Sequence, residues 1–369
     1  MENTFLATAA FGLEGVVANE LKRLGIPAKA EQGGARFTGT LAQAFEANLQ
    51  LRTADRVLMI LAEHEVYTFE DLFQLTSSIA WERLLTRDGM IHVSGKCVRS
   101  QLMSVRDCQA ISKKAIITRM QQKLGISRLP ETGTRFPIDI AVVRDNARIT
   151  LDLSGDALNR RGYRTWNGEA PLRETLAASL IDMSPWRTQM PFYDPCCGTG
   201  TLLIEAAIKA TSKPAGLSRK FACEDYPFMP KEEMAAVREK AQASYSADAP
   251  FSIAGSDLDP EALKLCAKHI AQAGFTGKIT TSLTDLKTLT LEGDTGVFLC
   301  NPPYGERLSD LKHARVLYGE LGKLLKRHPG WKMGVITSDA AFERYFGRRA
   351  TKKRRLYNGR LECEFFIFE

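Results

Sequence analysis

The sequence predicts an α/β protein whose second part, residues 171–369, is a mostly parallel sheet wound with helices, preceded by a smaller α+β region. Three observations carry this. From Pro171 onward, short apolar runs alternate with amphipathic helical stretches, the pattern of a parallel sheet with crossover helices. One run ends in Asp194-Pro195-Cys196-Cys197-Gly198-Thr199-Gly200-Thr201, where a helix opens at once. A later run, Val297-Phe298-Leu299-Cys300, is stopped by Asn301-Pro302-Pro303-Tyr304.

The elements follow in order. Phe5 to Ala9 reads as a strand, and Leu13 to Leu24 as a helix with Leu13, Val16, Val17, Glu20, Leu21 and Leu24 at helical spacing and Gly25 as its stop. Residues 41–61 and 69–85 read as helices with Leu49, Met59, Leu72, Phe73 and Leu84 inward. Met90 opens a strand. Cys108 to Leu124 reads as a helix with an apolar stripe (Ile111, Ala115, Ile116, Met120) and Lys113, Lys114, Arg119 and Lys123 largely on the exposed side. Ile138–Val143 and Arg148–Leu153 make a hairpin around Asp145-Asn146. Gly155 to Gly168, rich in Arg and Gly, reads as a bridge that could also touch RNA. In the second part, strands are expected at 190–193, 252–256, 279–283, 297–300, 333–337, 354–357 and 362–367. Helices are expected at 172–182, 201–210, 231–244, 260–273 and 314–326.

Composition bounds the function. The 369 residues suffice for two or three domains, and 44% hydrophobic with 25% charged residues is ordinary for a globular protein. No apolar run approaches a membrane span, and Met1 to Phe5 has no signal-peptide pattern. Eight cysteines without a CxxC pair or Cys/His cluster fit a reducing cytoplasm, with no metal site expected. The net charge of +7 is uneven. Residues 90–165 hold 14 Lys and Arg against 6 Asp and Glu, a net of +8, whereas residues 1–89 hold 8 against 12. Such a segment suits a polyanion, although a solvated charged surface has the same composition.

The motifs point to chemistry at strand ends, where open α/β sheets bind ligands. Glycines at 198 and 200 allow a sharp turn and close approach of a ligand to the backbone. Their spacing is neither the dinucleotide fingerprint nor a phosphate loop. Asp194 ahead of them suits a ligand carrying positive charge, though a tight strand-to-helix connection would need the same glycines. After the next strand, Asp257 is placed to accept from ribose hydroxyls, and Asp259 before Pro260 is the expected helix N-cap. Asp285 follows the third strand and is either an acceptor for an adenine amino group or a turn residue. Asn301 and the rigid carbonyl of Pro302 suit an exocyclic NH2 group, and the Tyr304 ring suits the flat face of a base.

In this combination residues 165–369 resemble the class I S-adenosylmethionine-dependent methyltransferases, in the motif order of those that modify amino groups. Residues 60–155 look like a THUMP RNA-binding domain behind a ferredoxin-like piece. Leu153-Ser154-Gly155-Asp156, Arg160-Arg161-Gly162-Tyr163-Arg164 and Ala170-Pro171-Leu172-Arg173-Glu174 resemble the bacterial 23S rRNA guanine-N2 methyltransferases, the family of the N-terminal half of methyltransferase L. The resemblance implies a Rossmann-like domain with a seven-stranded, mostly parallel sheet at 171–369. Ahead of it would come a ferredoxin-like piece at 1–60, a THUMP domain at 61–155 and a linker at 156–170. It implies that S-adenosylmethionine is the cofactor, with its methionine portion bordered by Asp194, Cys196, Gly198 and Gly200, its ribose held by Asp257 and its adenine by Asp285. Ser282-Leu283-Thr284 departs from the Gly-Asp wording often seen in relatives before that last acid. Asn301 would touch both the cofactor and the target amine, with Pro302, Pro303 and Tyr304 completing the catalytic turn. Cys196 and Cys197 would be packing residues.

Large-subunit rRNA is then the expected partner. Lys113, Lys114, Arg160, Arg161, Arg348, Arg349, Lys352 and Lys353 are the candidate phosphate contacts, the last four in a run that could equally be a solvated hairpin rim. Transfer of a methyl group to guanine N2 is the expected reaction. Adenine-N6 methylation of RNA or DNA is the alternative, since the tetrapeptide alone does not separate two amino groups. A non-catalytic assembly factor for the ribosome is the third.

Overall fold

A computed structural model describes residues 2–164, 172–305 and 308–369. The first half contains β1 (Asn3–Thr8), α1 (Glu14–Arg23), β2 (Ala28–Glu31), β3 (Gly34–Gly39), α2 (Leu41–Gln50), β4 (Arg56–Glu65), α3 (Phe69–Ser78), β5 (Met90–Val98), α4 (Val105–Leu124), β6 (Arg135–Val143) and β7 (Asn146–Asp152). These strands form one sheet in the order β2-β3-β1-β4-β7-β6-β5, so the ferredoxin-like piece and the following domain share a continuous hydrogen-bonded surface. Residues 60 and 61, the expected boundary, lie inside β4, where the pairing with β7 shifts register between Ile60 and Ala62.

The helix expected over 41–61 is corrected: it ends at Gln50 and its last part is β4. The cause lies in α1, whose buried Glu20 carboxylate accepts the backbone N–H groups of Arg52 and Thr53 at 3.0 Å each. Those amides are thereby lost to a helical ladder, and the chain pairs with β1 over Arg56–Met59 and with β7 from Leu58 onward instead. The β2–β3 hairpin was not expected. Its turn is Gln32-Gly33, with Gly33 at φ +88°. The α4 stripe is as expected, with Ala115, Ile116 and Met120 fully buried.

The second half contains α5 (Glu174–Met183), β8 (Phe192–Asp194), α6 (Thr201–Ala210), α7 (Lys231–Ala243), β9 (Ile253–Asp257), α8 (Pro260–Gln272), β10 (Thr280–Leu283), β11 (Gly296–Cys300), α9 (Leu308–Arg327), β12 (Trp331–Thr337), α10 (Phe342–Phe346), β13 (Lys352–Asn358) and β14 (Leu361–Phe368). The sheet order is β10-β9-β8-β11-β12-β14-β13, parallel as far as β12 and antiparallel at β14 and β13. This is the seven-stranded, mostly parallel class I methyltransferase sheet that the resemblance implies. All five residues of β11 are buried, as a central parallel strand covered on both faces requires. The chain leaves β8 toward β9 on one side and returns to β11 on the other, so the order reverses between β8 and β11. Among the described residues no helix is long and apolar enough to cross a membrane.

The two halves interlock. After α6 the chain returns to the first half, and Phe221, Cys223, Tyr226, Met229, Met234 and Ala241 lie in its core. Tyr226 stacks on Phe136 with centroids 4.9 Å apart and donates to the Asp152 carbonyl at 2.7 Å. A second lock is ionic. Asp182 on α5 pairs with Arg52 at 2.8 Å, with Lys209 at 3.0 Å, and with Arg23. Burial opposes the charge on Asp182, but these three cations together hold its carboxyl well below the usual range.

The bridge does not carry RNA contacts as expected at Arg161. That side chain is 4% exposed, bonds the carbonyls of Leu158 and Arg52, and faces Glu205 at 3.4 Å. Tyr163 donates to the same carboxylate at 3.0 Å. A buried guanidinium with these partners is an internal tie, because moving it to solvent would strand Glu205. Residues 165–171, including the expected Ala170-Pro171 boundary, lie outside the described residues.

Candidate active site

Strand β8 delivers Asp194 into the interior at 2% exposure, and its Oδ1 accepts the Cys196 amide at 3.0 Å. The chain then turns on Gly198 (φ +49°) and Gly200 (φ +85°), left-handed backbone that glycine adopts without strain. The two glycines serve different ends. A Cβ at Gly200 would sit 2.5 Å from the Cys266 sulfur of α8, so this glycine lets two helices approach. A Cβ at Gly198 would meet nothing within 4 Å, and that glycine borders open space.

That space is a cavity of about 370 Å³ at the C-terminal ends of β8 and β11, where the strand order reverses. Asp194, Cys196, Gly198 and Asn301 line it together with Thr199, Thr201, Asp259 and Glu261, and Leu172, Leu202 and Leu265 give it apolar walls. The volume falls in the range of small-molecule sites. Burial, and after it the nearby Asp257, pushes the Asp194 carboxyl well above the usual range. A cationic ligand in the cavity would relieve that penalty. The donor set therefore fits S-adenosylmethionine, whose sulfonium and ammonium are positive and whose adenosyl portion needs apolar walls.

The acidic strand ends are arranged differently from the sequence expectation. Asp257 stands behind the glycine loop: its Oδ2 accepts the Gly198 amide at 2.7 Å and its Oδ1 the Asp259 amide at 3.0 Å. Each oxygen retains a lone pair, but it is Asp259 and Glu261, beside Asp194, that supply the acids of the cavity wall. Asp259 also caps α8 as expected, accepting from the Glu261 amide at 2.9 Å. Asp285 takes the turn role, with its Oδ1 on the Lys287 amide at 2.9 Å, and it is not on the cavity wall. Sequence reasoning missed the wall residues Thr199, Thr201 and Glu261. Thr199 and Thr201 were legible as polar neighbours of the glycines, but Glu261 enters only through the packing of α8.

At the end of β11, Pro302 is buried and Pro303 exposed. The Tyr318 hydroxyl bonds the Thr337 hydroxyl at 2.9 Å and reaches the Pro303 carbonyl at 3.4 Å, which steadies the turn from α9 and β12. Tyr304 differs from expectation. Its ring is half-buried against the second core, and its hydroxyl donates to Asn301 Oδ1 at 2.5 Å while Asn358 Nδ2 approaches that hydroxyl at 3.4 Å. Tyr304 thus orients the amide, where the sequence suggested a stacking ring. Burial raises its phenol well above the ordinary value, so it stays a donor. Beneath the turn, the Cys300 thiol is raised first by burial and then by its hydrogen bond with Cys196, and Cys197 is raised first by its bond with Cys266. Protonated thiols make poor nucleophiles, which agrees with a packing role.

The candidate phosphate contacts are dispersed. Lys114 is exposed on α4, Lys113 pairs with Glu131 at 2.8 Å, and Arg160 pairs with Asp156 at 3.1 Å. Arg119 is not solvent-facing as expected: it chelates Glu82 and caps carbonyls of Ser77 and Ser78. The C-terminal basic run leads into the outer edge strand β13, where Lys352 pairs with Glu369 at 3.1 Å, Lys353 with Glu343 at 2.7 Å, and Arg348 bonds the Glu369 carbonyl at 2.8 Å. Arg349 is exposed.

Comparison with known proteins identifies the domains. Residues 161–366 match the RMKL-like methyltransferase domain family, residues 4–58 the RlmL ferredoxin-like domain, and residues 66–152 the THUMP domain. The chain is 38% identical to the Bacillus subtilis protein YpsC, provisionally named an RNA methyltransferase, over 99% of this chain and 95% of that one. It is 33% identical to the ribosomal RNA large subunit methyltransferase K/L of Syntrophotalea carbinolica over 99% of its own length, but spans about half (53%) of that relative. A Listeria monocytogenes structure, described as a predicted N6-adenine-specific DNA methylase, superposes with a TM-score of 0.95 at 40% identity, covering 100% of this chain and 96% of that one. SMU.472, provisionally a methyltransferase and solved with SAH, gives 0.94 at 36% identity, covering 100% and 98%.

Proposed function

Because this chain belongs to the RMKL-like methyltransferase family, with a THUMP domain ahead of its S-adenosylmethionine-dependent catalytic domain, we propose that it methylates the exocyclic N2 amine of a guanine in large-subunit rRNA. The observation that carries the reading is Asn301-Pro302-Pro303-Tyr304 at the end of β11, with Asn301 on the wall of the cavity that fits the methyl donor. When bound, S-adenosylmethionine supplies a methyl group activated by a sulfonium leaving group.

The chain's own residues do the rest. An aromatic amine is a poor nucleophile because its lone pair is delocalised into the ring. Asn301 Oδ1 and the Pro302 carbonyl would accept its two N–H bonds off the ring plane, favouring a pyramidal nitrogen. The same two dipoles stabilise the positive charge that grows on that nitrogen. Tyr304 holds the Asn301 amide through one lone pair of Oδ1, and the other lone pair serves the substrate. Asp194 complements the cationic donor, and Gly198 allows its close approach. The target base must leave its stack to reach this turn.

The K/L relatives are named for large-subunit rRNA, which favours that substrate, as does the net +8 of residues 90–165. The Listeria structure's description favours adenine N6 as the second reading. One experiment separates them. The protein is incubated with radiolabelled cofactor and unmodified large-subunit rRNA, and the product nucleoside is identified by mass spectrometry. N2-methylguanosine supports the proposal, N6-methyladenosine replaces it, and binding without product leaves a non-catalytic assembly factor.

A further inference from the structure

Phe11 is the most exposed aromatic side chain described in the first half, ahead of Tyr67 at 49% and Phe69 at 38%. Phe5, Phe37, Phe45 and Phe136 are at most 2% exposed, whereas Phe11, in the turn between β1 and α1, is 62% exposed. Its turn is held firmly. Gly12 has φ +87° and packs so closely on β13 that a Cβ there would lie 2.7 Å from the Arg355 carbonyl, and its amide donates to Glu14 at 2.8 Å. Leu13 and Val16, immediately after it, are buried in the second core with Leu356. The turn therefore belongs to the first half in sequence and is fixed on the catalytic half in space.

Phe11 meets Tyr357 of β13 edge to face, with centroids 5.9 Å apart at 81°. The Tyr357 hydroxyl is tied to Glu362 at 2.9 Å, so both rings are anchored. The next residue, Asn358, approaches the Tyr304 hydroxyl, which in turn donates to Asn301 Oδ1. Through the backbone of β13, Tyr357 is thus linked to the residue that reaches the hydroxyl holding the Asn301 amide. Phe11 also borders a hollow of about 480 Å³ whose charged lining sets exposed Lys96 of β5 and Arg148 beside Glu14 and Glu31, with Glu31 paired to Arg148 at 2.7 Å.

We infer that Phe11, backed by Tyr357, is a stacking platform for an unpaired nucleotide of the bound RNA. This rests on the RNA methyl-transfer reading above and adds a subsite to it. A protein partner is a poorer match. A stable protein interface covers about 800 Å² on each side, far more than one isolated ring offers, whereas a single base needs only one π-face.

The test measures binding of an end-labelled, mixed-sequence single-stranded RNA of about 12 nucleotides, a length within single-strand site sizes, by fluorescence polarisation. Phe11→Ala is expected to weaken binding roughly 5- to 100-fold, the range of one lost base stack. Phe11→Trp should restore affinity to within about twofold, since any aromatic face serves. Emission of the Phe11→Trp variant, read against wild type, should also be quenched on RNA addition, which keeps the test valid if Phe11→Ala proves unstable. Wild-type affinity in Phe11→Ala without quenching in Phe11→Trp overturns the platform and leaves Phe11 as a protein contact. Failure of wild type to bind the RNA overturns it as well. The methylated nucleoside made by wild type reads the guanine assignment separately, so either reading can fail while the other stands.

Discussion

Replacing Tyr304 with phenylalanine separates what the structure says about this residue from what its sequence suggested. Phenylalanine keeps the ring, so a purely stacking residue would tolerate the change. The structure gives the hydroxyl the work, since it donates to Asn301 Oδ1 at 2.5 Å and is approached by Asn358 at 3.4 Å. Losing one such neutral hydrogen bond costs about 0.5–1.5 kcal/mol. The Asn358 contact is long and adds little. If that energy orients the amide for the transition state, the methyl-transfer step slows roughly 2- to 12-fold. Removing the amide itself, Asn301→Ala, should cost about 2–4 kcal/mol, on the scale of one oxyanion-type contact, or roughly 30- to 900-fold. The assay is single-turnover transfer from radiolabelled cofactor with enzyme in excess over RNA, beside RNA affinity measured at equilibrium. Tyr304→Phe should lower the rate and leave the affinity alone. The double variant should be no slower than Asn301→Ala, because the hydroxyl acts through the amide. A wild-type rate in Tyr304→Phe, or a loss confined to RNA affinity, would refute the reasoning.

Further outcomes follow from the same geometry. Asp194→Asn should weaken S-adenosylmethionine binding about 10- to 100-fold by isothermal calorimetry, on the scale of a lost charge-assisted contact. Burial raises the folded-state pKa of Asp194 above its unfolded value, so the native carboxyl costs stability as pH rises. Wild-type apo-protein should therefore lose more melting temperature than the variant as pH rises above the unfolded carboxylate range, while its affinity for the cationic cofactor tightens over the same span. A parallel dependence in both proteins would exonerate Asp194. Asp182→Ala leaves buried Arg52 with Glu20, at 3.4 Å, and the field of Glu205, and strips Lys209 of a partner. Breaking a buried pair costs about 3–5 kcal/mol, so the melting temperature should fall roughly 5–10 °C. Asp182 has a depressed pKa, so its contribution is present above the unfolded carboxylate range and is lost as pH falls through the folded value. Acid unfolding of the variant should accordingly be shallower. Reversing Arg349 and Arg354 to Glu should lower the slope of log affinity against log salt for RNA by about 2. An unchanged slope would leave these charges to guarding the β13 edge.

The sequence by itself determined the catalytic half. Its strands, helices and strand-end motifs are contiguous, and their order alone placed Asp194, Gly198 and Asn301 around one point, because a parallel sheet brings its C-terminal strand ends together. It also located the basic middle segment and the buried stripe of α4, both properties of local spacing. Tertiary structure decided everything that depends on a distant partner. Arg56 to Leu61 became a strand because Glu20, more than thirty residues away, takes the amides of Arg52 and Thr53 and because β1 and β7 offer pairing. Arg161 looked like a surface arginine and is buried, since Glu205 reaches it from α6. Tyr226 crosses into the other half because Phe136 provides a ring to stack on. Asp285 and Tyr304 carried plausible ligand roles in their local wording, but the first is engaged by its own turn and the second by Asn301. Periodicity reports which face of an element is apolar. Which polar atom meets which is fixed only when both ends of the chain are in place, and at this site those pairings govern the chemistry.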